Sequence, residues 1–126
     1  MSTYIERLAA MEGAPTLKPL VVDQGRDAYL AWVKHWKECY AWITREIRHA
    51  RISKRHHRDL AREGVDREQS RSRMWRADTR ASRLSIVAHH WHMCRLEGKA
   101  MSWQAKCQAL GVPNDRDPEL SQEEAA

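Results

Sequence analysis

The sequence predicts an all-α fold: a long antiparallel helical hairpin packed at its base against short N- and C-terminal helices. Three observations carry that reading. Tyr29, Val33, Trp36, Tyr40, Ile43, Ile47 and Ala50 recur at alternating spacings of four and three, which keeps them on one stripe of a helix. Met74, Ala77, Ala81, Leu84, Ala88 and Trp91 form a second stripe at the same spacings, widened by Val87. Between the two, Gly64 supplies a helix terminator and Asp66 a cap with Gln69 three residues on, so two helices joined by a few residues must run antiparallel.

At the N-terminus, Thr3 and Glu6 have capping-box spacing, and Ile5, Leu8 and Ala9 give a short apolar face before Gly13 ends the helix. Pro15 and Pro19 exclude a regular helix from Ala14 to Val22. Leu17, Leu20, Val21 and Val22 are nonetheless too apolar to be left in water, so this stretch should lie extended across the core as a strap. Asp23 or Gln24, beside Gly25, marks the start of the first long helix, read from Asp27 to about Glu63 and therefore about 55 Å long. Beyond Ala50 its stripe continues only as Lys54, His57 and Ala61, which pack weakly, so the far end should project from the compact body.

The returning helix is read from Arg67 to Leu96, with Gly98 closing it. Ser102 then caps a last short helix bearing Trp103, Cys107 and Leu110, which Gly111 and Pro113 end. Residues 1–113 form a single helical domain. Residues 114–126 carry five acids against Arg116 alone, a net charge of −4, and are expected to be a disordered acidic tail.

Composition narrows the class. A chain of 126 residues buries roughly two thirds of its unfolded surface and supports one core. Phe is absent while Trp occurs six times, so that core should be centred on tryptophan. No window of 18 apolar residues exists, and the N-terminus lacks a basic start followed by an apolar run, so a cytoplasmic location without membrane insertion is expected. Three cysteines, Cys39, Cys94 and Cys107, point to reduced thiols over a disulfide framework. No established catalytic motif is present, and a Cys-His pair without an orienting third group or oxyanion hole is no basis for an enzyme.

The charge is local. The whole chain carries +5, whereas residues 45–83 hold thirteen Lys or Arg against six acids, a net of +7. Arg48, Arg51, Arg55, Arg58 and Arg62 recur at helical spacing on the outgoing helix, and Arg73, Arg76, Arg80 and Arg83 on the return. The first set sits one position after its apolar stripe and the second one before, so the two sets should fall on opposite flanks of the pair. A rod that is basic on both flanks can lie against a phosphate backbone, and Trp75 could stack on unpaired bases. The alternative is that the same charges meet an acidic protein surface, or serve only to keep the helices solvated.

A second constellation joins His35 to Cys39 and His90 to Cys94, each pair four residues apart on one helix face. Folding the hairpin at residues 64 and 65 sets His35 level with Cys94 and Cys39 level with His90. Two imidazoles and two thiolates suit tetrahedral structural zinc, although no short Cys-x-x-Cys knuckle is present. The plainer reading makes the cysteines small core residues and the histidines half-exposed flanks.

From Leu84 to Cys107 an apolar helix runs into Arg95-Leu96-Glu97-Gly98-Lys99, an aromatic at Trp103 and a short closing helix. This order resembles the C-terminal part of small phage-encoded helical proteins of undetermined role. The resemblance covers residues 84–107 and carries no catalytic motif; it departs from that pattern in Glu97 before the glycine and in the position of Trp103. It implies a virus-encoded protein acting on a host or phage macromolecule in a bacterial cytoplasm.

Two functional readings follow. The first is a small non-enzymatic protein that binds nucleic acid through its basic arm. The second is an interaction module or inhibitor that docks the same arm on an acidic or nucleic-acid-binding surface of a host protein complex. A homodimer is expected in either case, because an exposed seam can be completed by a second copy.

Overall fold

The computed structural model describes residues 3–113, and every regular element among them is helical: α1 (Tyr4–Met11), α2 (Arg26–Arg62) and α3 (Arg67–Leu110). The expected acidic tail lies outside the described residues. α1 begins with the predicted capping box. The Thr3 hydroxyl accepts from the Glu6 amide at 3.2 Å while the Glu6 carboxylate accepts from the Thr3 amide at 3.3 Å. Gly13, at φ 72°, then turns the chain out of the helix.

The apolar stripe of α2 is buried through Val33, Trp36, Ile43, Ile47 and Ala50, and Cys39 and Trp32 are buried beside it. On α3 the buried positions include Ala77, Ala81, Leu84, Val87, Ala88 and Trp91. These two faces pack on one another. Cross-helix contacts join Trp36 to Trp91, Glu46 to Arg80 and Lys54 to Asp78, so they run in opposite order along the two helices. Ile43, Leu84 and Val87 are the largest side chains withdrawn completely from solvent, and Leu8 and Ala9 of α1 complete their cluster. Trp32, Val33 and Trp36 form a second cluster under Leu17 and Leu20.

The strap of residues 14–22 has no helix, as its prolines require, and α2 holds it by the backbone of one residue. The Trp32 indole donates to the Lys18 carbonyl oxygen at 2.9 Å, and the Lys18 amide donates to His35 Nε2 at 3.0 Å. Both polar groups of Lys18 are thus satisfied by side chains where no ladder is available.

Three boundaries differ from the sequence reading. The α2 cap is Gly25, at φ 103°, and neither Asp23 nor Gln24 fills that position. Asp66 begins α3 in the left-handed region, at φ 41°, without a side-chain capping bond. The turn is held instead by Gly64 at φ 80° and by Ser70, whose buried hydroxyl donates to the Val65 carbonyl oxygen at 2.8 Å. The third difference is the largest. Gly98 does not close the returning helix, and no separate C-terminal helix begins at Ser102; α3 continues to Leu110 and ends at Gly111, at φ 69°.

Gly98 lies against the strap and α2. A Cβ at this position would come within 3.0 Å of Leu20 Cδ1, 3.4 Å of Tyr29 Cε2 and 3.5 Å of Trp32 Cζ3. Close approach of three large side chains outweighs the roughly 1 kcal/mol that a mid-helix glycine costs relative to alanine.

Candidate nucleic-acid interface

Past Ala50 on α2 and before Ala77 on α3 the only buried residue is Ser70, so this end of the pair is built from small and half-buried side chains. Arg48, Arg51, Arg55, Arg62, Arg73 and Arg76 stand exposed along this thinly packed end. Grooves on the arm show where they gather.

One groove, of about 540 Å³, is lined by Arg48, Arg51 and Arg55 of α2 with Ile52, and by Ser85 and His89 of α3. A second, of about 360 Å³, is lined by Arg73, Arg76 and Arg80 of α3 and by His49, Ser53 and His57 of α2, with Ala50 and Ala77 also in its wall. The outgoing and returning sets therefore line separate grooves. Near the turn, a third of about 310 Å³ collects Arg58, Arg62, Arg67 and Arg71 around Ala61 and Met74.

Not every arginine is available. Arg80 donates to Glu46 and to the Glu12 carbonyl oxygen, each at 3.2 Å, and its Nε lies 3.2 Å from the Glu12 carboxylate. Arg83 donates to the same carboxylate at 3.1 Å, and Glu12 is only 11% exposed at its side chain. These two arginines thus neutralise Glu12, the C-cap of α1, and Glu46 of α2, and fasten the end of α1 to α3. Arg58 lies 3.6 Å from Asp59. By contrast Arg48, Arg51, Arg55, Arg62, Arg73 and Arg76 are exposed and form no ion pair among the described residues. Trp75, beside Arg76, is 65% exposed.

Sequence reasoning did not single out His49, Ser53, His57, His89 or Arg71 as groove residues. For three of them the signal was the i, i+4, i+8 spacing by which His49 and Ser53, one position before the stripe, line up with His57 in it. Glu12 left no such signal, since its partners lie 68 and 71 residues away.

The zinc constellation does not assemble. His35 Nε2 lies 3.6 Å from Cys39 Sγ, and His90 Nε2 lies 3.7 Å from Cys94 Sγ, so each pair meets within its own helix. Across the helices, no group of three or more His, Cys, Asp or Glu among the described residues is placed to hold a metal ion. The strap is the reason on one side: it occupies the His35 imidazole through the Lys18 amide. On the other, His90 and Cys94 face a cavity of about 510 Å³ enclosed by α1, the strap, Trp32 and Trp91. Burial first and the Glu38 carboxylate second push the Cys39 thiol up; burial and then Glu97 do the same to Cys94. Both changes disfavour thiolate, the form that would ligate a metal or attack an electrophile.

No family model, curated protein or solved structure matches this chain. No described helix is long and apolar enough to cross a membrane.

Proposed function

We propose that this protein binds nucleic acid, without catalysis, through the basic hairpin arm formed by the distal halves of α2 and α3. The observation that carries the reading is the division of exposed arginines between two grooves, with Arg48, Arg51 and Arg55 in one and Arg73 and Arg76 in the other. A polyanion with regularly spaced phosphates can engage several of these guanidinium groups at once, each contact releasing counterions. Small groove residues let a backbone approach, and Ser53, Ser85 and the histidines offer further hydrogen bonds to phosphate oxygens. Arg62 and the cluster at the turn extend the contact to the end of the arm.

Arg80 and Arg83 belong to the scaffold in this account, because Glu12 and Glu46 already occupy them. Contacts of this kind fix affinity and leave sequence preference weak. Gel-shift titration with duplex DNA, single-stranded DNA and RNA of equal length tests the proposal. Retardation in the micromolar range that is lost on raising salt supports it. Failure to shift any of the three, combined with nuclease-resistant recovery of one protein from a bacterial lysate, replaces it with docking on an acidic protein surface.

A further inference from the structure

α3 carries a second heptad seam on the side turned away from α2. Trp75, Ile86, Met93 and Leu96 are large apolar side chains that are 65%, 44%, 50% and 42% exposed. Thr79, Ser82, His89 and Ala100 fall between and after them, so the full set recurs at 4-3-4-3-4-3-4 over 26 positions. The buried seam of Ala77, Ala81, Leu84, Ala88 and Trp91 occupies the opposite side of the helix, against α2. No described element covers its large apolar side chains, while His89 at its edge also lines the groove of Arg48, Arg51 and Arg55. Scattered exposed apolar residues need no explanation, but a heptad run of them along one helix is the pattern of a helix that meets another.

We infer that the occupant is the α3 helix of a second copy of this chain, packed antiparallel about a twofold axis midway between Val87 and Ala88. This register places Trp75 against the partner's Ala100 and Leu96 against the partner's Thr79. It likewise sets Met93 against the partner's Ser82 and Ile86 against the partner's His89. Large side chains meet small ones in three of the four layers, which is how facing positions fill space without voids. A parallel pairing would set Trp75 on Trp75 and leave gaps at the Ser82 and Ala100 layers.

Charge selects the same register. On one flank Arg76 lies within two positions of the partner's Glu97, and on the other Asp78, which Lys54 approaches at 2.8 Å within its own copy, lies within two positions of the partner's Lys99. Antiparallel packing also sends the two basic arms to opposite ends of the assembly, whereas parallel packing would hold two regions of net charge +7 side by side. The seam is about 38 Å long at 1.5 Å per residue. The assembly is isologous, each copy giving and receiving the same contacts.

The inference stands without the nucleic-acid reading and is tested in its absence. Sedimentation equilibrium across the micromolar range should give twice the chain mass of 14.8 kDa. Ile86→Glu combined with Met93→Glu should weaken association by at least about tenfold while helical circular dichroism is kept, since both positions are exposed in one copy. Glu97→Arg should weaken it too, and Arg76→Glu in the same chain should restore it. Register is read by mixing two single-cysteine variants, Ser82→Cys and Met93→Cys, both carrying Cys94→Ser. The antiparallel seam predicts disulfides between the two variants in preference to those within either. A chain that sediments at 14.8 kDa throughout, a dimer indifferent to the double glutamate variant, or crosslinks confined to like variants each overturns the inference.

Discussion

The Trp36 indole nitrogen donates to the Trp91 carbonyl oxygen at 2.8 Å, a buried bond that joins α2 to α3 across 55 residues of sequence. The ring stacks on Tyr40 with centroids 4.6 Å apart, and the Arg95 guanidinium lies over it at 6.0 Å. Arg95 in turn donates to the Tyr29 hydroxyl at 2.8 Å. One tryptophan therefore supplies area, a hydrogen bond and a cation contact at the base of the helix pair. Trp36→Phe keeps a ring but loses the donor, and should cost about 1 to 3 kcal/mol in urea unfolding. A change under the error of the measurement would mean the bond adds nothing beyond packing.

Glu12 is the acid around which Arg80 and Arg83 close, and removing its charge should do two things at once. Glu12→Gln should lower stability by about 1 to 2 kcal/mol, the figure being held down because both arginines are about a third exposed. It should also release cations next to the groove of Arg73 and Arg76, so that nucleic-acid affinity rises and the salt slope steepens by about one. Weaker binding by Glu12→Gln would place Arg80 and Arg83 outside any route to the polyanion.

Gly98 gives a graded test of close packing. Gly98→Ala gains helix propensity of about 1 kcal/mol but sets its Cβ 3.0 Å from Leu20 Cδ1, the movable end of a side chain, so thermal stability should change little. Gly98→Leu must displace Tyr29 or Trp32 as well and should cost more than about 2 kcal/mol. Equal melting temperatures for the two variants would refute the close approach.

Both Cys39 and Cys94 hold their protons more firmly than an ordinary thiol, so alkylation near neutral pH should be slower than for a small thiol, and Glu97→Gln should accelerate it at Cys94. A raised pKa in the fold means that the unfolded chain ionises first as pH rises. The stability each thiol contributes is intact below its usual value of 9.0 and is lost as pH climbs through the higher folded value. Cys39→Ala should flatten the alkaline fall in melting temperature, and an unchanged profile would exclude that thiol as its source.

Much of the fold was legible because local and tertiary signals agree there. The stripes from Val33 to Ala50 and from Ala77 to Trp91 are buried where heptad spacing put them, apart from half-buried Tyr40, and Thr3 with Glu6 makes the expected box. The sequence reading failed at Gly98, where a glycine that could have ended a helix instead admits Leu20, Tyr29 and Trp32. Contacts 66 to 78 residues distant decided that position, and no local pattern reports them. His35 and Cys94 were matched in level along the two helices, but a level is not a direction: the strap that turned His35 toward Lys18 has no periodicity to read. The arginine stripes were visible as stripes, yet the distinction between Arg76, left exposed, and Arg80, clamped by Glu12, needed the position of α1.

Nucleic-acid binding by the arm is tested most directly by fluorescence anisotropy of labelled duplex DNA, single-stranded DNA and RNA titrated at several salt concentrations with three proteins. These are the wild type, a variant with Arg48, Arg51 and Arg55 changed to Glu, and a variant with Arg73 and Arg76 changed to Glu. The wild type should bind at least one form with a steep salt slope, and each variant should lose affinity and part of that slope. Binding that survives both sets of reversals, or no binding by the wild type near physiological salt, would contradict binding by the arm.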